Sequence, residues 1–316
     1  MSNNLDVNFV WPLVIIGFGP AGYNASLYAS RYKIKHLVIG QLIGGQISKA
    51  HIVENYLGFP SITGPEIANK FRDHAKKFME VSESQELVDT VLSIKKQDDI
   101  YILELASGKK IKAYTVILGI GTKEQEIGLP NEKEFIGRGV SYCATCDGFF
   151  FRDKIVGVVG GSDAANTASL YLANIAKEVH QFVRSTLKGE RIWHEQIQEN
   201  PKIKLHLGVT VEEIVGDAKL EAVKLSDGNT VQLDGLFVEI GSYPDLTVVK
   251  DLGLETDERG YIQVNEKQET NLPGFYGAGD ITIASNYFRQ LITSAAEGAI
   301  AANSVLEYLS KKGIVK

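Results

Sequence analysis

The sequence predicts an α/β protein of two three-layer domains, the second inserted into the first. Three observations predict it. An apolar strand, a glycine turn and a helix follow one another near the N-terminus. The same unit recurs near residue 154. Strand-rich sequence then returns and the chain closes on a long helix. At 316 residues, two domains are a better expectation than a single core.

Each element has its own justification. "LVIIG" at 13–17 is an apolar run of strand length ending in glycine, and "FGPAGYNASLYASRY" reads as a helix with its small residues at the start. "HLVIG" at 36–40 is a second strand, and 64–79 spaces apolar side chains as a helix does. From 86 to 121 strands dominate, with a hairpin turning at "SGKK" and a last strand reaching Gly119 and Gly121. The pattern restarts with "KIVGVVGG" at 154–161, then the helical "SDAANTASLYLANIA" and the strand "EVHQFVR". "KIKLHLGVTVEEIVG", "AVKLSDGNTVQL" and "GLFVEIG" are strand-rich, with Asp227-Gly228 as a turn. "GYIQV", "GFYGAGD" and a helix over 288–309 finish the chain. "GIGT" (119–122) and "IGSYPD" (240–245) bracket the second unit. The expected domains are therefore 1–121 with 246–316, and 122–245.

Composition narrows the function. The chain is 44% hydrophobic and 23% charged, as a soluble globular protein is. A net charge of -6 without a Lys/Arg block argues against a nucleic-acid partner. No apolar run is long enough to span a bilayer, so no membrane is expected. "MSNNLDVNFVWPLVIIG" has neither the basic start nor the small-residue cleavage site of a signal peptide, which points to the cytoplasm.

Gly17, Gly19 and Gly22 form GxGxxG between a strand and a helix. The first glycine permits the tight turn, the second lets backbone approach a pyrophosphate, and the third lets helix pack on strand. The carboxylate that would hold a ribose is missing where the second strand ends, at Gly40-Gln41. The second loop keeps Gly160, Gly161 and Ala165 but has Ser162 where the second fingerprint glycine belongs. It reads either as a Rossmann half that binds nucleotide or as a scaffold that has lost it. "GAGD" at 277–280 offers Asp280 to a polyol hydroxyl or, on spacing alone, as a helix cap.

The only two cysteines, Cys143 and Cys146, stand in "SYCATCDGFF". A CxxC pair in a reducing compartment reads as a redox dithiol, half of a zinc site, or an inert pair. Zinc needs four ligands, and the six histidines (His36, His51, His74, His180, His194, His206) show no metal-site spacing, so no metal is expected. Asp147, beside Cys146, could relay a proton or simply serve the Asp-Gly turn. Phe149, Phe150 and Phe151 could wall a partner groove or belong to the core.

Together "GFGPAG", "GGQI", "ENYLGFP", "SYCATCDGFF", "GAGD" and "FRQLITSAAEGA" closely resemble the low-molecular-weight thioredoxin reductases, from about residue 12 to residue 309. The resemblance implies two Rossmann-like domains and a homodimer. In the first domain it implies FAD against Gly17, Gly19, Pro20, Ala21 and Gly22, with Gly40, Gln41, Gly45, Gln46 and Asn55 along the cofactor. It further implies Gly279 and Asp280 at the ribityl chain and Arg289 and Gln290 by the isoalloxazine. It gives Cys146 to the flavin, Cys143 to the partner disulfide and Asp147 the role of proton donor. The partner is thioredoxin or a glutaredoxin-like protein. NADPH or NADH would sit by Gly160, Gly161, Ala165, Arg184 and Lys188. The family's "HRR" triplet is here Val183-Arg184-Ser185, which leaves the donor open among NADPH, NADH and reduced ferredoxin, since a 2′-phosphate favours guanidinium forks. A flavin dithiol oxidase and a non-turnover redox sensor are the rival readings.

Overall fold

The computed structural model describes residues 9–50 and 53–315. The N-terminal eight residues read above for a leader, and His51, lie outside them. In chain order the elements begin β1 (Val10–Ile16), α1 (Pro20–Arg31), β2 (His36–Gly40), α2 (Gly64–Met79), β3 (Gln85–Val88), β4 (Val91–Gln97), β5 (Ile100–Leu105) and β6 (Lys110–Leu118). Then come β7 (Lys123–Glu124), β8 (Val140–Ser141), α3 (Ala144–Asp147), β9 (Ile155–Val159), α4 (Asp163–Ala173), β10 (Glu178–Val183), α5 (Arg191–Glu199) and β11 (Ile203–Leu207). The chain ends with β12 (Val211–Gly216), β13 (Leu220–Leu225), β14 (Thr230–Gln232), β15 (Gly235–Val238), β16 (Ser242–Tyr243), β17 (Phe275–Gly277) and α6 (Leu291–Lys311).

The chain divides into two compact units. One runs through Lys123 and resumes at Tyr243; the other is Glu124–Ser242. In the first, the sheet runs β3-β2-β1-β6-β5-β4. β1 pairs parallel with both β2 and β6, Ile15 opposite Val38 and Ile117. β6 is shared: its first half pairs antiparallel with β5 and its last residues pair parallel with β17. Alternation along β1 sends Leu13 and Ile15 toward α1 and α6, where Ala25, Ala29, Ala301 and Val305 meet them. Val14 and Ile16 face the other side with Leu103 and Phe275.

The second unit has a parallel sheet ordered β11-β10-β9-β15-β8. α4 and α5 cover one face through Ala165, Leu172 and Ile197. The antiparallel β12-β13-β14 covers the other through Val211, Ile214 and Leu225. Both units are Rossmann-like, and the second is inserted into the first. α5 was not expected from the sequence. No helix among the described residues is long and apolar enough to cross a membrane.

Candidate functional site

The first unit gathers its predicted residues at the C-terminal ends of β1 and β6. Gly17 has φ +120°, and a Cβ there would lie 2.2 Å from Gly119 O, so only glycine fits this turn. The Gly17 N–H donates to Ile39 O at 2.7 Å, which ties the turn to β2. A Cβ at Gly22 would lie 2.0 Å from Gly17 O, so the helix packs on the turn itself. Gly19 faces open space, and no side chain caps α1. Pro20 at its first turn has no N–H to leave unpaired. An uncapped helix start beside an open glycine is an anion cradle.

Neighbouring segments line this cradle. Gly44 N–H donates to Phe18 O at 2.8 Å, which brings Gly45 against Gly19. Gln46 Nε2 donates to Thr122 O at 2.7 Å, and Asn55 Nδ2 donates to Gln290 Oε1 at 3.1 Å. β2 ends at Gly40, packed on the Phe18 ring, with Gln41 exposed after it. Asp280 does not cap the last helix. Gln290 and Thr293 do that as a reciprocal box, while Asp280 accepts from Ser294 Oγ at 2.8 Å. Burial pushes the Asp280 carboxyl up, opposed by Ser294 and the Arg289 charge. Arg289 stacks on Tyr261 at 3.8 Å, yet its Nε and Nη2 are buried with no hydrogen-bond partner. Orphaned buried donors, a half-buried acid and an open phosphate cradle fit an anionic flavin dinucleotide.

The second unit holds the cysteines. Cys143 and Cys146 form a disulfide, with Cα atoms 5.3 Å apart. Cys143 caps the one-turn α3, and Cys146 N–H donates to Cys143 Sγ at 3.2 Å. That donor favours a thiolate at Cys143 once the bond is reduced. Cys146 is the exposed member and Cys143 is half-buried. Asp147 accepts from Ser141 Oγ at 2.6 Å, while Ser141 Oγ accepts from Cys143 N–H at 3.1 Å. The aromatic run divides: Phe149 and Phe150 are 64% and 70% exposed, whereas Phe151 packs on Gly235 and Phe237.

The nucleotide-type loop lies in the same unit. Gly160 has φ +140°, and a Cβ there would lie 2.2 Å from Glu239 O. Ser162 has φ -88°, so its place needs no glycine for backbone reasons, and serine adds a Cβ and a hydroxyl there. Lys188 N–H donates to Gly161 O at 2.6 Å, and Asp163 Oδ1 accepts from Glu190 N–H at 2.7 Å. These bonds bring the segment bearing Arg184 and Lys188 to the glycine turn, with both side chains exposed.

The pyridine nucleotide-disulphide oxidoreductase family matches residues 11–299. The chain belongs to that family. It is 38% identical over 315 residues to the thioredoxin reductase of Bacillus subtilis (strain 168), covering 96% of each chain. The crystal structure of Lactococcus lactis thioredoxin reductase is similar with a TM-score of 0.90 at 30% identity, covering 95% of this chain and 99% of that one. That of T. acidophilum thioredoxin reductase has a TM-score of 0.87 at 34% identity, covering 94% and 98%. The resemblance to low-molecular-weight thioredoxin reductases holds, and the chain is an oxidoreductase of a family that binds FAD and a pyridine nucleotide.

Two features escaped sequence reasoning. Glu132, 1% exposed, accepts from the N–H groups of Ile127, Gly128 and Leu129 and from the Tyr142 hydroxyl, beside Cys143. Burial and then Glu132 push the Tyr142 phenol up. Glu297, 5% exposed, holds the loop that carries Asp280. The three N–H groups that would have marked Glu132 come from backbone, which no side-chain pattern reports.

Proposed function

We propose that the chain is a disulfide reductase that holds FAD in its first unit and a pyridine nucleotide in its second, and passes electrons through Cys143–Cys146 to thioredoxin or a glutaredoxin-like protein. Homodimer assembly and a cytoplasmic site go with this reading, on the family resemblance. The single observation that carries it is the Cys143–Cys146 disulfide, closed over one helical turn beside Asp147 and two exposed phenylalanines. Bound FAD would supply the two-electron reduction of that disulfide.

The chain's own residues then perform exchange. The Cys143 thiolate, favoured by the Cys146 N–H, attacks one sulfur of the partner disulfide, forms a mixed disulfide and expels a partner thiolate. The Cys146 thiolate attacks Cys143 Sγ, restores the internal bond and expels the second partner thiolate. Two protons balance the two thiols released, and Asp147, held by Ser141, is the group placed to relay them. Phe149 and Phe150 supply apolar surface to the docked partner. In the first unit, the glycine turn and α1 would hold the pyrophosphate of FAD, with Asp280 offering an acceptor and Arg289 its unpaired donors to the rest of the group.

The donor is a pyridine nucleotide, supported by the glycine turn at Gly160 and the tethered segment bearing Arg184 and Lys188. The test is anaerobic titration of the yellow protein with NADPH, NADH and reduced ferredoxin in turn, followed by oxidised thioredoxin. Bleaching by NADPH or NADH and recovery with thioredoxin are expected. Colourless protein after reconstitution, or recovery only with oxygen, would refute the reading. Cys143→Ser should still bleach but lose delivery to thioredoxin down to background; undiminished delivery would remove Cys143 from its role.

A further inference from the structure

Glu297 lies in α6 and is 5% exposed. Acids are seldom buried so fully unless paired. Its three hydrogen-bond partners all belong to one loop. Gly279 N–H donates to Oε2 at 2.7 Å, Thr282 Oγ1 donates to the same oxygen at 3.2 Å, and Ser285 Oγ donates to Oε1 at 2.6 Å. That loop contains Asp280 and runs into Ser285, Asn286 and Tyr287, three successive residues with φ of 51°, 51° and 61°. Non-glycine residues adopt this region only where surrounding contacts hold them. Glu297 holds the near end through Ser285. The far end is held by Tyr287 hydroxyl donating to Asp257 at 2.6 Å and by Arg289 on the Tyr261 ring. Next to Glu297, a Cβ at Gly298 would lie 2.1 Å from Ala21 O, and one at Gly279 would lie 3.1 Å from Ala21 Cβ. Helix α6 and the loop, joined through this carboxylate, therefore both pack closely on Ala21 at the start of α1.

We propose that Glu297 is a positioning residue for the flavin site: by drawing Gly279, Thr282 and Ser285 onto α6 it sets the placement of Asp280 and Arg289. A carboxylate suits the task because all three partners are donors and both its oxygens only accept. This inference rests on the FAD reading above.

The test compares the holoprotein with Glu297→Ala, Glu297→Gln, Ser285→Ala and Val305→Ala. Val305 is fully buried in the same helix and packs in the core, so it serves as a stability control. Four quantities are read: the thermal midpoint of the apoprotein, the FAD dissociation constant from flavin fluorescence, and the absorption spectrum and midpoint potential of bound flavin. Glu297→Ala should weaken FAD binding roughly 10- to 100-fold, as loss of hydrogen bonds to a charged acceptor does, and should shift the spectrum and potential. Glu297→Gln should recover most of the affinity, because the Ser285 hydroxyl can turn and accept. Ser285→Ala, which removes no charge, should move the spectrum and affinity in the same direction as Glu297→Ala by a smaller factor. Val305→Ala should leave affinity within about twofold, as for an independent site. Unchanged affinity and spectrum in both Glu297→Ala and Ser285→Ala would overturn the proposal. So would release of FAD from Val305→Ala as ready as from Glu297→Ala at equal thermal loss. If the wild-type protein took up no FAD, the functional reading itself would fall and this inference with it.

Discussion

Replacing Glu132 with alanine strips the loop before the disulfide of its organising acceptor. The side chain is 1% exposed and receives the N–H groups of Ile127, Gly128 and Leu129 at 2.9, 2.7 and 3.3 Å, together with the Tyr142 hydroxyl. Removal leaves four donors unpaired where little water reaches. Each costs about 1–3 kcal/mol if left bare, while relief from burying a charge and relaxation of the loop offset part of the sum, so a net loss of about 3–5 kcal/mol is expected. That is a large share of a domain's stability. Glu132→Gln keeps one accepting oxygen and should lose about half as much. Urea unfolding followed by circular dichroism measures the loss, and hydrogen exchange over 127–142 localises it. Tyr142 precedes Cys143, so delivery to thioredoxin should fall while FAD stays bound. A loss below about 1 kcal/mol for the alanine variant, or a greater loss for glutamine than for alanine, would refute the reasoning.

Gly298→Ala places a Cβ 2.1 Å from Ala21 O, where only backbone can yield, so it should cost the first unit about 1–3 kcal/mol and loosen FAD; a neutral thermal melt would show that α1 and α6 can part. His36 is fully buried, bonded to Ser26 Oγ at 2.7 Å, and burial holds its pKa down at about 4 against an ordinary 6.5. Between those values the unfolded chain binds a proton that the folded one refuses. Stability should therefore fall as pH drops from 6.5 to 4, by about 3 kcal/mol in all, and be level with respect to this group below. His36→Gln should flatten that part of the profile; an equally steep profile would clear His36 of the effect.

The strands and glycine turns were readable because they combine unbroken apolar runs with residues that cannot be replaced. "LVIIG" reads as a buried strand from its apolar run alone, and Gly17 must be glycine because of its φ of +120° and the close approach of Gly119 O. α5 was missed although Trp193 and Ile197 stand one helical turn apart: it has only nine residues, and most of its side chains are polar. Asp280 was ambiguous because spacing alone favours a cap, whereas Gln290 and Thr293 take that task. Ser162 stands where the fingerprint has a glycine, but its φ of -88° is one that any residue adopts, a fact the sequence does not carry. Glu132 was invisible because its donors are the backbone N–H groups of Ile127, Gly128 and Leu129, which no side-chain pattern reports, and Glu297 because its donors, the Gly279 N–H and the Thr282 and Ser285 hydroxyls, come from a separate loop.

The insertion has a consequence for synthesis. β6 ends at Leu118 and its parallel neighbour β17 begins at Phe275, 275 − 118 = 157 positions later. At roughly 5–20 residues per second a ribosome takes about 8–30 s to cover that span. The inner segment 124–242 can complete its own sheet in the meantime, while the host's half-built core waits with the open edge of β6 and the bare face of α1 exposed. Chaperone capture of nascent chains should accordingly concentrate on lengths before α6 emerges.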